Sequence, residues 1–123
     1  MRSLLVAASL VFLAACSRGS SPGLPPATEQ ALLDSAASDF KAHGPPAPLR
    51  FREVRTGTYA SPQGSREVMC GEFRSGGGEW TRFVTIRTDP YEQWLGGQAG
   101  PWCEGAKLGG EDLAAKLAGR VGE

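Results

Sequence analysis

Residues 66–88 read REVMCGEFRSGGGEWTRFVTIRT, and the alternation within this stretch decides the fold. In its first nine residues Val68 and Cys70 fall on one face of an extended chain, while Met69 and Phe73 fall on the other. The glycine run that follows is typical of a flexible hairpin loop. The last ten residues are β-branched or aromatic at most positions, which favours a second strand. The stretch therefore predicts two antiparallel strands.

A third strand and its turn precede this pair. Residues 49–59 are rich in strand formers, and residues 61–65 (SPQGS) have turn chemistry, so residues 49–88 predict a three-stranded antiparallel meander.

Arginines and glutamates are interleaved along this meander, which is typical of cross-strand ion pairs on a solvated sheet face. The alternative is a contact surface for anionic lipopolysaccharide or peptidoglycan. The arginines are Arg50, Arg52, Arg55, Arg66, Arg74, Arg82 and Arg87.

Apolar stripes at helical spacing flank the meander. In residues 28–43, Leu32 and Phe40 lie on one such stripe, and residues 110–121 carry a similar stripe of leucine and valine. Residues 91–105 are aromatic and Gly-rich, which favours a loop or a short helical turn. We therefore expect an α+β domain, with a small antiparallel sheet of about three strands packed against an N-terminal and a C-terminal helix.

The N-terminus has the features of a secretion signal. Arg2 precedes an almost wholly apolar run over residues 4–15, which is too short to span a hydrocarbon layer of about 30 Å as a helix. The run ends in Leu-Ala-Ala-Cys at residues 13–16, which resembles the cleavage motif of bacterial lipoproteins at every position. The resemblance implies that residues 1–15 are a signal peptide and that Cys16 carries a diacylglyceryl group and a further acyl chain. The alternative is an ordinary secreted protein whose signal ends near a cysteine.

The segment after the lipidated cysteine is predicted to be a tether. Residues 16–27 are rich in Ser, Gly and Pro and cannot bury enough apolar surface to order themselves. The remaining residues, 28–123, are enough for one domain with a modest core. No Asp follows Cys16, and an Asp there tends to retain enterobacterial lipoproteins in the inner membrane. We therefore expect an outer-membrane anchor, with the domain in the periplasm.

Two further cysteines, Cys70 and Cys103, remain in the mature chain. In an oxidising compartment this even pair predicts a disulfide, which would stabilise the domain by about 3 kcal/mol in the chain-entropy model. The alternatives are a metal pair or a reactive thiol. Both are disfavoured, because no C-x-x-C is present and the single histidine lies far away in sequence.

The chain offers few groups for catalysis, metal binding or nucleic-acid binding. The single histidine, His43, stands at the predicted end of a helix, where a basic residue suits the negative end of the helix dipole. The carboxylates form no tight pair, and no zinc-ligand spacing exists. The glycines at 76–78 lack the lysine of a phosphate-binding loop. These patterns predict no enzyme, no cofactor and no metal, and the formal charge of zero predicts no nucleic-acid partner.

Aromatic side chains are the main lead to a binding surface. Trp80 is predicted to be a core residue by its periodicity, and Trp102 is expected to pack on the disulfide. Two further aromatics lie in the irregular segment and, beside two arginines, form a candidate binding patch. The members of this patch are Tyr91, Trp94, Arg82 and Arg87. The alternative is that all of these aromatics cover a small core.

Three short segments resemble a family of small proteobacterial periplasmic proteins with a V-x-C-G-E strand motif. Residues 51–55 (FREVR) are similar to the A-x-F-R-x-V-R pattern of that family, and residues 68–73 (VMCGEF) are similar to its V-V-C-G-E-V-N. Gly-Gly before Trp80 and Phe83 resembles its Gly-rich turn and aromatic strand. The chain departs from the family at residues 45–48 (PPAP), where the family has D-P-x-S-A. The resemblance implies a helix followed by strands with a disulfide, and it implies no activity.

Together these features predict a lipid-anchored cell-envelope protein whose domain is a non-catalytic binding or structural module. Its partners would be the membrane, through the anchor, and an envelope protein or glycan. A lysozyme inhibitor is an alternative, by analogy with other small disulfide-bonded lipoproteins. A cell-wall or lipid-acting enzyme is a further alternative, which would require carboxylates that converge beside an exposed Ser or Tyr.

Overall fold

The computed structural model describes residues 23–46 and 48–122, and the predicted signal peptide and Cys16 lie outside these residues. The elements are α1 (Pro26–His43), β1 (Leu49–Ser61), β2 (Gly64–Ser75), β3 (Thr81–Ile86), β4 (Glu92–Leu95), α2 (Gly100–Gly105), β5 (Ala106–Gly109) and α3 (Ala114–Val121), with a 3-10 turn at Gly96–Gln98. The strands form one antiparallel sheet in the order β4-β3-β2-β1-β5. Over the described ranges, every helix is too short or too polar to cross a membrane.

The expected α+β architecture is present, but the sheet is wider than the predicted three strands. β1, β2 and β3 are the predicted meander, whereas β4 lies in the segment predicted as a loop and β5 follows that segment directly. Both additional strands have four residues, and β5 pairs with β1 some fifty residues away. The prediction of about three strands was wrong because four residues carry too little alternation to identify a strand. The two terminal helices are both present, although α1 begins at Pro26 and α3 only at Ala114.

α1 and α3 cover one face of the sheet, which we call the helix face. The apolar stripe of α1 is buried there, and Phe40 lies at its C-terminal end. The ring of Phe40 makes edge contacts with Phe51, Phe73 and Phe83, with centroid distances of 5.1 to 5.2 Å. Rings in this geometry stabilise a core beyond the apolar area that they bury. One helical side chain therefore joins three strands to α1.

A β-bulge in β1 reverses the alternation of that strand. Two residues, Glu53 and Val54, lie opposite the single Gly71 of β2, because the register shifts by one at this point. Before the bulge Phe51 packs into the helix-face core, and after it Val54 does so. Glu53 has a φ of 52°, in the left-handed region that residues other than glycine rarely occupy.

Asp112 holds this bulge against the start of α3. Its carboxylate accepts hydrogen bonds from the backbone N–H groups of Glu53 and Val54, both at 3.0 Å, and from that of Ala114 at 2.9 Å. The N–H of Leu113 also donates to the carbonyl of Val54 at 2.7 Å. The bulge and the first turn of α3 are therefore one hydrogen-bonded unit, in which one carboxylate satisfies three backbone donors.

The opposite face of the sheet, which we call the disulfide face, is covered in part by α2. The predicted disulfide between Cys70 and Cys103 is present, with Cα atoms 5.8 Å apart, and it joins β2 to α2. Trp102 of α2 packs on Tyr59 of β1, with ring centroids 4.6 Å apart. The buried residues of this second cluster are Val68, Cys70, Val84, Ile86 and Ala99.

Candidate functional site

Two neighbouring clefts open on the disulfide face. The first has a volume of about 280 Å³ and lies between the β1 bulge, β2, α2 and β5, with Glu53, Glu72 and Leu108 in its walls. The second has a volume of about 470 Å³ and lies between the start of β3 and the glycines that lead into α2, with Trp80 in its wall. Because Arg82 and Glu104 line both clefts, the clefts form one continuous groove.

The boundary between the two clefts is an ion pair. Nη1 of Arg82 on β3 lies 3.2 Å from Oε1 of Glu104 on α2. Glu104 directly follows Cys103, so the disulfide fixes the position of this carboxylate above the sheet. Both side chains are largely exposed, and an exposed pair of this kind contributes under about 1 kcal/mol. A ligand can therefore separate the two side chains and take their place as partner at little cost.

The first cleft contains two more carboxylates in different settings. Glu72 is engaged by Nε of Arg52 at 2.5 Å. Glu53 forms no ion pair with any residue that the structure describes, and its backbone is held in the left-handed region by the hydrogen bonds to Asp112. A strained backbone conformation of this type costs roughly 1–3 kcal/mol and is often found at functional sites. Glu53 is therefore the carboxylate of the cleft that is available to a ligand.

Trp80 is half-buried beneath arginines rather than packed in the apolar core predicted for it. The guanidinium carbon of Arg52 lies 4.3 Å from the centroid of the Trp80 rings, and that of Arg74 lies 4.9 Å from it. β3 begins one residue later, at Thr81, so Trp80 lies at the end of the sheet. The periodicity indicated the correct face, but the neighbours on that face are charged.

The four residues of the predicted patch are divided between the two faces. Tyr91 packs against the helix-face core, and Arg87 pairs with Glu67 at 3.0 Å. The hydrogen bond to Glu67, with a smaller contribution from Tyr91, raises the pKa of the Arg87 guanidinium above its ordinary value. Trp94 is 38% exposed and lies on the disulfide face with Arg82. Of these four residues, only Arg82 lines a cleft.

The groove contains groups suited to binding a polar ligand. It offers carboxylates, an arginine, an indole and glycine backbone, whereas His43 is exposed at the end of α1, which packs on the other face of the sheet. In the described part of the chain, no three His, Cys, Asp or Glu side chains are grouped closely enough to hold a metal ion. The arrangement can hydrogen-bond a ligand and balance its charge.

Glu53 and Glu104 line the groove but were not predicted from the sequence as site residues. Glu104 carried a usable signal, because the residue after a disulfide cysteine must lie near the strand that the disulfide reaches. Glu53 carried none, because a bulge built on a non-glycine residue has no characteristic sequence.

Comparisons of the chain with protein families, with curated proteins and with solved structures gave no match. Membership of the periplasmic family and lipidation at Cys16 therefore remain predictions from the sequence.

Proposed function

We propose that the protein is a lipid-anchored component of the outer membrane whose periplasmic domain is a non-catalytic binding module. The observation that carries the proposal is the continuous groove on the disulfide face, which the Arg82–Glu104 pair spans. The ligand is an envelope protein or glycan that presents polar groups to this pair and to Glu53.

The short connection between the proposed anchor and the domain supports this role. Leu24 already packs against the helix-face core, and α1 begins at Pro26, although the tether was predicted to extend to Ala27. Six residues separate Cys16 from Gly23, the first described residue. At most about 3.6 Å per residue, the domain lies within roughly 25 Å of the acylated cysteine. A module held this close to the membrane meets ligands of the envelope.

The side chains that line the two clefts suit a binding role better than acyl-transfer catalysis. The titratable side chains that line the two clefts are glutamates and an arginine. His43 lies at the end of α1, on the opposite side of the sheet. Acyl transfer of the Ser-His or Cys-His type needs a nucleophile within hydrogen-bond reach of a base, and the described lining of the two clefts contains no histidine and no free thiol.

The anchor is tested by fractionation of the Cys16→Ser variant. We expect the wild-type protein in the membrane fraction and the variant released from it, with Ser17→Ala as a control that keeps membrane association. Membrane association of Cys16→Ser to the wild-type extent would contradict the anchor.

The groove is tested by photo-crosslinking in cells. A photoreactive amino acid at Pro101, an exposed residue of the second cleft, should give a discrete adduct that is lost in the Arg82→Ala background. The same probe at Gln63, which is exposed in the turn between β1 and β2, is the matched control and should give none. Identical adducts from both positions, or an adduct that persists without Arg82, would show that the groove is not the binding site.

A further inference from the structure

Two arginines lie directly opposite each other at one end of the disulfide face. Arg50 of β1 is the register partner of Arg74 of β2, and both alternate with residues that face the helices. Directly opposed side chains in an antiparallel pair have Cβ atoms about 5 Å apart, and like charges at this distance are destabilising. Arg52 lies two residues further along β1 on the same face. We call Arg50, Arg52 and Arg74 the arginine patch.

The local carboxylates do not neutralise this patch. Arg52 is paired with Glu72 at 2.5 Å. Neither Arg50 nor Arg74 forms an ion pair with any residue of the described ranges. In addition, Nε of Arg74 is buried and has no hydrogen-bond partner there. The patch therefore has more donors and more positive charge than its surroundings satisfy.

Trp80 holds two of the guanidinium groups in place. Arg52 and Arg74 both lie over its rings, within the distance at which a cation and an aromatic face attract each other. Arginines that are already ordered lose less side-chain entropy when they bind a ligand. The arrangement is thus organised to receive an anion before the anion is bound.

We infer that the arginine patch binds a phosphate group, and that the phosphate belongs to a lipid headgroup of the membrane. Guanidinium groups bind phosphate oxygens in a bidentate manner, which supplies acceptors for the terminal N–H groups of Arg50 and Arg74. A phosphate between Arg50 and Arg74 also converts the repulsion between them into two attractions. This inference rests on the proposed function in one respect, which is that the anchor keeps the domain beside a membrane that the patch can reach.

Binding to vesicles tests the inference. Residues 17–123 retain every core residue of the domain, and this unlipidated protein is mixed with phosphatidylcholine vesicles with and without phosphatidylglycerol. We expect sedimentation with the phosphatidylglycerol vesicles. Replacing Arg50 or Arg74 by Thr should weaken the affinity about fivefold each, because a basic residue at an anionic surface contributes about that factor.

A matched control separates the patch from general electrostatic attraction. Arg66 is exposed on the same face, opposite Tyr59 at the other end of β2, and has no ion pair within the described part of the chain. Arg66→Thr should bind the vesicles as the wild type does. An equal loss for Arg66→Thr, or no preference for phosphatidylglycerol, would overturn the inference.

Two further readouts identify the source of the phosphate and exclude misfolding. The first readout is the chemical shift of the Trp80 indole N–H during titration with inorganic phosphate. A shift that changes with phosphate, in a protein that does not bind the vesicles, would support the phosphate site and overturn its assignment to a lipid headgroup. Arg50→Thr should melt at the wild-type temperature or above, because the substitution removes a repulsion. Arg50 lines neither cleft, so Arg50→Thr should weaken lipid binding and keep the crosslink from Pro101, and loss of lipid binding and loss of the groove ligand can be told apart.

Discussion

Replacing Asp112 by Ala should destabilise the protein more than its exposed position suggests. The carboxylate accepts three backbone hydrogen bonds, from Glu53, Val54 and Ala114, and so joins the β1 bulge to α3. In the Ala variant these donors lose their acceptor, and the bulge loses one of its two connections to the helix. The other connection, between Leu113 and the carbonyl of Val54, remains.

The size of the effect follows from the burial of each donor. The N–H groups of Glu53 and Ala114 are in exposed settings and can bond to water, so each loss costs about 1 kcal/mol. The N–H of Val54 belongs to a fully buried residue, and leaving it unsatisfied costs about 2 kcal/mol. We therefore expect Asp112→Ala to lower the free energy of unfolding by about 3–4 kcal/mol. For a domain of this size the melting temperature should fall by roughly 10–20 °C.

Asp112→Asn gives a graded result. The amide oxygen can still accept from Val54 and Ala114, while its NH₂ group faces the N–H of Glu53, so the cost should be about 1 kcal/mol. The measurement is urea unfolding with the disulfide intact, and Glu111→Ala is the matched control because Glu111 is exposed and pairs only with Lys116 among described residues. If Asp112→Ala costs no more than Glu111→Ala, the bulge is not held by this carboxylate.

Four further predictions test other contacts of the fold. Phe40→Ala should cost about 3–5 kcal/mol and Phe40→Leu under about 2, because the smaller change keeps most of the contact with three strands; equal losses would argue against the central role of the ring. Replacing Cys70 and Cys103 together by Ala should lower the unfolding free energy by about 3–4 kcal/mol, and a clearly smaller loss on calorimetry would contradict stabilisation through a restricted unfolded chain. Glu53→Gly should leave stability unchanged or raise it by up to about 1 kcal/mol, since glycine accepts a positive φ, and a clear loss in urea unfolding would contradict the strain. Gly57→Ala should detach β5, because a Cβ would overlap the facing main chain of that strand; unchanged amide-exchange protection in β5 would refute this.

The parts of the fold that the sequence predicted are those with repeated patterns. The face assignments of Val68, Cys70, Met69 and Phe73 agree with the two buried clusters, because an alternation sustained over nine residues specifies a strand and its faces. β4 and β5 were missed because each has four residues and is stabilised by a partner strand rather than by its own pattern.

The candidate site was harder to predict than the fold, because it depends on register. Arg50 opposes Arg74 only because of the pairing between β1 and β2, which the bulge shifts by one residue further along. Tyr91 and Trp94 are close in sequence, but they lie on opposite faces of the sheet. The predicted patch that contained Tyr91 and Trp94 therefore does not form one surface. The arginine patch could not be predicted, because the sequence alone does not give the register between β1 and β2.

The bulge also determines which changes this chain can accept over evolution. Residues of β1 on the two sides of Glu53 follow opposite parities, so that Phe51 and Val54 both reach the helix-face core. Loss of the Glu53 codon would remove the bulge and leave the other residues of β1 on their present faces, whereas loss of a codon between the bulge and Tyr59 would turn Tyr59 away from Trp102. Many substitutions in the strand leave the two cores intact, whereas a change in its length away from the bulge turns part of the strand to the wrong face. The bulge is therefore the position at which β1 can lose a residue, and the spacing of residues in the rest of the strand is constrained more tightly than their identity.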